Sequence, residues 1–145
     1  MREVPGGFGR AISVINRKAL GYFTRRLRPL GLGPGQQAYL LALAPGESVP
    51  QEELARRLSV DKANVSRAAR GLEELGYLRR ERSGDDARAV ALSLTERGRA
   101  ARREAERIAA EWLAVLRGAL TADEWRAAEA ALGRIAAALE TRADD

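Results

Sequence analysis

The sequence predicts a mostly α-helical fold with a small β-wing, and three observations carry that prediction. Between residues 51 and 75 apolar side chains recur at helical spacing in two series. The first is Leu54, Ala55 and Leu58; the second is Val65, Ala68, Ala69, Leu72 and Leu75, with Val60 turned inward between them. Directly afterwards, Tyr77 to Arg82 suits one strand, and Val90, Leu92 and Leu94 suit another with period two; the polar stretch SGDDARA lies between them. Long helical stripes frame this block at both ends. Helix, turn, helix and two-stranded wing, in that order, make a winged helix-turn-helix flanked by N- and C-terminal helices.

In chain order, Phe8, Ile12, Ile15, Ala19, Tyr22 or Phe23, and Leu27 recur at four- and three-residue steps, which predicts a first helix over 8–30. Arg25, Arg26 and Arg28 crowd its C-terminal end, where cations suit the helix dipole. Pro29 to Gly35 break it, and Pro34 predicts the first turn of a second helix reaching about Ala44. Pro45-Gly46 is a turn, and Ser48-Val49 predicts a short third strand beside the wing. Asp61 stands where a carboxylate caps the helix that starts at Lys62, and Gly76 ends that helix at its C′ position. After the wing, Thr95 caps a long helix to about Leu120. It carries two apolar stripes, Ala101-Ala105-Ile108-Trp112-Val115 and Ala109-Leu113-Leu116-Leu120, a face too wide for one partner helix. Thr121 and Glu124 form a capping box for a last helix with Trp125, Ala128, Leu132, Ile135 and Leu139 on one side.

Composition narrows the function. The chain has 145 residues, enough for one domain with a sizeable core, and no apolar run of membrane-spanning length or signal-peptide pattern, so a cytoplasmic protein without a membrane partner is expected. Neither cysteine nor histidine occurs. Disulfides, thiolate metal sites and thiol redox sensing are thereby excluded, as are the commonest general base and transition-metal ligand. No nucleophile–base pairing or phosphate-binding glycine loop is present, so no enzyme, cofactor or metal site is expected. The net charge of +5 permits nucleic-acid binding. The excess lies in residues 1–50, but Lys62, Arg67 and Arg70 avoid the apolar face of their helix, and Glu73 and Glu74 fall at its far end. The front of that helix is therefore positive, and its dipole adds to the effect.

These residues carry a family resemblance. LARRLSVDKANVSRAARGLEELGYLRR resembles the core pattern of MarR-type (multiple antibiotic resistance) transcriptional regulators, and DDARAVALSLTERG resembles their wing, with Asp86-Ala87-Arg88 at the D-x-R signature. One departure is Ser59, where many helix-turn-helix motifs place glycine. The resemblance spans nearly the whole chain. With the doubled stripe, it implies a single domain over 1–145, with helices at about 8–30 and 97–140 building a homodimer around a DNA-binding lobe at about 34–94.

The second helix of such a motif lies in the major groove of double-stranded DNA. Asn64 and Arg67 have bidentate groups suited to adenine and guanine edges; Lys62, Ser66 and Arg70 suit phosphates. Arg88 at the wing tip suits a minor groove, and Asp86 could orient it, as the resemblance also implies. Arg79, Arg80 and Arg82 on the first wing strand and Gln51 at the start of the supporting helix suit the backbone. Proteins of the resembled family commonly accept small aromatic or amphipathic acids between dimer helices and DNA-binding lobe, which makes Tyr39 and Trp112 candidate pocket walls. The expected function is a sequence-specific repressor on an inverted-repeat operator, released by a small organic ligand such as a phenolic acid. The rival, from another class, is a winged-helix adaptor that assembles proteins without reading DNA.

Overall fold

The structure, a computed structural model of the chain, describes residues 6–82 and 89–142. The chain divides into two compact units, one running to Ala109 and one from Ala110. In the first unit α1 (Gly7–Leu27) is followed by a single 3-10 turn (Arg28–Leu30), then α2 (Gln36–Leu41), β1 (Val49–Pro50), α3 (Gln51–Leu58), α4 (Lys62–Glu74), β2 (Leu78–Arg82) and β3 (Val90–Leu94). Helix α5 (Glu96–Arg117) begins there and continues into the second unit, which ends in α6 (Ala122–Glu140). The sheet is antiparallel with order β1-β3-β2; Leu92 lies opposite Val49 on one side and Arg80 on the other. The third strand expected at Ser48-Val49 is thus present, one residue later.

Several helix bounds differ from expectation: α2 ends at Leu41 instead of about Ala44, and α5 at Arg117 instead of about Leu120. Helix α2 starts only at Gln36, because Gly35 is left-handed at φ 78°, which leaves Pro34 outside the first turn. The first helix stops at Leu27, ahead of Pro29; the expected segment to residue 30 finishes as the 3-10 turn closed by Gly31 N–H on the Arg28 carbonyl.

The core of the first unit combines the stripes read from the sequence on α3, α4 and the first half of α5 with Leu40 and Leu43 of the α2 segment, whereas Phe8, Ile12 and Ile15 of the α1 stripe are exposed. Leu40, Leu43, Leu54, Val65, Leu72, Leu92 and Ile108 are fully buried, with Leu27, Ala69, Ala101 and Ala105 beside them. Helix α4 rests on this core through Val65, Ala69 and Leu72, so its opposite face is free to project. Val60 packs against the same cluster. Ser59 adopts φ 52°, the left-handed conformation that makes glycine frequent in such turns.

The wing is joined to α5 by a tight lock. Gly76, left-handed at φ 79°, turns the chain out of α4. Thr95 Oγ1 donates to the Gly76 carbonyl at 2.5 Å and accepts from Gly98 N–H at 3.0 Å. Thr95 N–H in turn donates to the Tyr77 carbonyl at 3.1 Å. A Cβ on Gly98 would stand 1.9 Å from that carbonyl oxygen, so only glycine fits. The buried Tyr77 ring sends its hydroxyl to the Leu30 carbonyl at 2.6 Å, which ties the base of the wing to the end of the first helical segment.

In the second unit the expected capping box of α6 is formed: Thr121 Oγ1 accepts from Glu124 N–H at 3.2 Å, and Glu124 Oε2 accepts from Thr121 N–H at 2.8 Å. Arg117 stacks over the Trp125 ring at 4.9 Å. No described residue of α6 is buried, and Leu132, Ile135 and Leu139 are exposed along it. No helix among the described residues is long and apolar enough to cross a membrane.

Candidate nucleic-acid interface

Helix α4 owes its start to Asp61, whose Oδ1 accepts from Asn64 N–H at 2.7 Å. That bond satisfies one of the free N–H groups of the first turn and holds residue 64 rigidly. Because Val65, Ala69 and Leu72 face the core, helical geometry turns Lys62, Ala63, Asn64, Arg67 and Arg70 outward, and all five are exposed. Ser66 is half-buried. The exposed surface at the front of the helix thus combines three cations and one carboxamide with the positive end of the dipole.

These groups have defined partners. Lys62 Nζ lies 2.9 Å from Glu52 Oε1, but both side chains are well exposed, so DNA phosphate could displace the carboxylate at small cost. Arg67 Nη2 donates to Asn64 Oδ1 at 2.5 Å. On β2, Arg80 lies 3.9 Å from Glu73, Arg79 is 3.9 Å from Glu81, and Arg82 is exposed at the strand end. Asp86 and Arg88 lie outside the described residues. Gln51 departs from expectation: it is 7% exposed, with its Nε2 buried and unpartnered, so its side chain does not face outward toward a phosphate. As the first residue of α3, directly after the β1 residues that pair with β3, it is drawn into the lobe.

Asn64 and Arg67 also line a cleft of about 350 Å³ with Tyr39 on α2, floored by Pro34, Ala38, Leu58, Val60 and Ala68. Burial, and then the Asp61 carboxylate, raise the Tyr39 pKa above its ordinary value of 10.0, while Arg67 opposes them; the phenol therefore stays neutral at physiological pH. Trp112, the other candidate pocket wall, is half-buried on the part of α5 that belongs to the second unit. Sequence reading marks Tyr39 as a pocket wall but misses its neighbourhood with Arg67, which depends on how α2 packs across α4. It also misses the Asn64–Arg67 bond, although their i,i+3 spacing on one helix is a usable signal.

A second polar cluster joins α3 to the segment after α2. Arg57 pairs with Glu47 at 2.5 Å and with Glu53 at 3.2 Å, and it donates to the Ala42 carbonyl at 3.0 Å. The hydrogen bond from Arg57, and then that from Ala44 N–H, pull the Glu47 carboxyl down to about 2. This network ties α3 to the loop after α2 and leaves the outer face of α4 untouched. Among the described residues no group of three or more acidic side chains is placed to hold a metal ion.

Comparison with known proteins agrees with this geometry. The family profile described as "MarR family" matches residues 30–89. The transcriptional regulator AdcR of Streptococcus pneumoniae is 38% identical over 63 residues, which are 43% of this chain and 43% of AdcR; the chain thus aligns with less than half the length of that relative. The crystal structure of a MarR transcriptional regulator from Methanosarcina mazei Go1 is 31% identical, with a TM-score of 0.77 over 88% of this chain and 91% of that one. A mutant MarR from E. coli, complexed with operator DNA, is 27% identical, with a TM-score of 0.77 over 91% and 94% of the two chains. At 31% identity over 88% of this chain and 91% of the Methanosarcina mazei protein, the chain belongs to the MarR family of transcriptional regulators.

Proposed function

We propose that this protein is a dimeric, sequence-specific double-stranded DNA-binding regulator, a repressor released by a small organic ligand. The observation that carries the proposal is the outward face of α4. Lys62, Asn64, Arg67 and Arg70 are presented on a helix whose opposite face is locked into the core, beside a cationic strand ending in Arg82. Such a helix fits a major groove, with Arg67 at a base edge and Lys62, Ser66 and Arg70 on phosphates. Arg88, steadied by Asp86, would reach the adjacent minor groove. That a similar E. coli MarR has been solved in complex with operator DNA supports DNA binding.

The dimer proposal rests on uncovered apolar surface. Phe8, Ile12, Ile15 and Leu20 on α1 are exposed, as are Leu113, Val115 and Leu120 around the end of α5 and Leu132, Ile135 and Leu139 on α6. A second copy related by two-fold symmetry would bury them, using segments 8–30 and 97–140 around lobes at 34–94. Two reading helices then require an inverted-repeat operator with half-site centres about 10–10.5 bp apart or a multiple of that. Tyr39 and Trp112 are the proposed ligand contacts for an aromatic or phenolic acid. Selection from random-sequence duplex DNA followed by a gel shift tests the function. Enrichment of an inverted repeat supports it; enrichment of no motif would leave the protein-assembly adaptor as the better reading.

A further inference from the structure

We propose that Asn64 is the positioning residue of Arg67, so that the two side chains read one guanine together instead of an adenine and a guanine separately. The inference deepens the DNA-reading proposal and rests on it. Its basis is the hydrogen bond from Arg67 Nη2 to Asn64 Oδ1 at 2.5 Å, made by two side chains three residues apart on the exposed face of α4. A guanidinium carries only donors, so the carboxamide oxygen must be the atom that faces it, and the orientation of the amide follows from chemistry.

That orientation decides what each side chain can read. Recognition of adenine by asparagine needs Oδ1 to accept from the exocyclic amine while Nδ2 donates to the ring nitrogen. Here one of the two lone pairs of Oδ1 is already taken by Arg67, so an adenine amine would have to share that oxygen with the guanidinium. The arginine, in contrast, has five N–H groups, and spending one on Asn64 leaves a fork for the two acceptors on a guanine edge. Holding the guanidinium before contact reduces the rotamer freedom lost on binding, which strengthens preference for the base whose acceptors match the held geometry.

The anchor itself is firm. Asn64 lies in the first turn of α4, with its backbone N–H bound by Asp61 Oδ1 at 2.7 Å, so the amide is presented from a fixed base. Arg67 and Asn64 also share one wall of the cleft that contains Tyr39, which places both side chains on the same side of the helix. Arg70 differs: the residues three and four positions before it are Arg67 and Ser66, neither of which offers a carboxamide, and its assignment to phosphate stands.

The test is a base-preference measurement on a duplex library randomised across the half-site, made with wild type, Arg67→Ala, Asn64→Ala, Asn64→Asp and the double alanine variant. Arg67→Ala should erase a guanine preference at one position. Asn64→Ala should relax that same position, by the order of tenfold in the ratio of guanine to the next base, and leave other positions unchanged. The double variant should match Arg67→Ala alone. Asn64→Asp keeps an acceptor oxygen and should retain the guanine preference while lowering overall affinity through its charge. Melting curves check folding, which all variants should keep because Asp61 caps the backbone N–H of residue 64 and not its side chain. If Asn64→Ala relaxes a different position, an adenine, or if the losses in the double variant multiply, Asn64 reads independently and the proposal is overturned. A wild type that enriches no motif would overturn it together with the DNA-reading proposal, whereas separate relaxed positions leave DNA reading intact.

Discussion

Gly98→Ala should destabilise the protein far more than an ordinary helix substitution. In a helix interior, replacing glycine with alanine normally stabilises by about 1 kcal/mol. At position 98 the new Cβ would stand 1.9 Å from the Tyr77 carbonyl oxygen, 2.9 Å from its carbonyl carbon and 3.2 Å from its Cα. All three are backbone atoms at the base of the wing, so no side chain can swing aside. Relief requires α5 to move off the base of the wing, which breaks the two bonds that Thr95 makes to Gly76 and Tyr77. Overpacking costs about 1–3 kcal/mol, and each hydrogen bond lost adds about 1 kcal/mol. With two bonds lost and the propensity gain subtracted, the net is about 2–4 kcal/mol. Gly133→Ala is the control, because a Cβ there meets nothing within 4 Å in the single chain. Urea titrations of both variants measure the difference. A Gly98→Ala protein with the wild-type midpoint and slope would show that α5 and the wing base do not approach this closely.

Four further outcomes are expected. Glu47 has its carboxyl pulled from 4.5 to about 2 by Arg57; the unfolded chain therefore binds more protons between those values, and stability falls as pH drops through that window. Glu47→Gln should flatten this part of the acid-unfolding profile, an effect kept small by the pair's exposure, and an unchanged profile would mean that the pair does not persist in solution. Arg88→Ala should weaken operator binding and reduce the slope of log K against log salt by about 1, read from filter binding or fluorescence anisotropy. Removing residues 1–20 should give a monomer or an aggregate by sedimentation, whereas an intact dimer would exclude α1 from the interface. Peroxide should leave DNA binding unchanged, for the chain has neither cysteine nor histidine, while an aromatic acid should release DNA and quench a tryptophan signal that is lost in Trp112→Phe.

What the sequence made legible was whatever local periodicity and capping decide. The two helices of the motif, the Asp61 cap, the Thr121–Glu124 box and the register of apolar positions from Val65 to Leu72 all follow from short-range pattern. Ser59 was legible as a departure from the motif, and its left-handed backbone gives the reason why glycine is usual there. The side-chain pairings were less accessible. Gln51 reads as a polar residue at a helix start, yet its burial depends on the chain running directly from β1 into α3. The placement of Tyr39 beside Arg67 depends on the packing of α2 against α4, and Arg57 finds Glu47 ten residues away through a turn. Such contacts are set by tertiary geometry, which a periodic pattern does not encode.

The same geometry bears on how a ligand would release DNA. Within the first unit the segments around α4 are braced at several points. The Tyr77 hydroxyl binds the Leu30 carbonyl, Thr95 joins α5 to the turn that follows α4, and Arg57 ties α3 to the segment after α2. The Arg102 guanidinium adds a longer contact to the Leu41 carbonyl at 3.4 Å. A close-packed lobe braced at several points moves as a body before it deforms, because its interior is dense and poorly compressible. Release by tilting α4 within its own lobe would strain the Thr95–Gly76 and Tyr77–Leu30 bonds at its C-terminal end. Rotation of one whole subunit relative to the other in the proposed dimer would break none of them, yet it would change the separation of the two α4 helices. The proposed ligand therefore gains most by biasing the angle between the two subunits, since it needs only a differential affinity for two orientations of a rigid body.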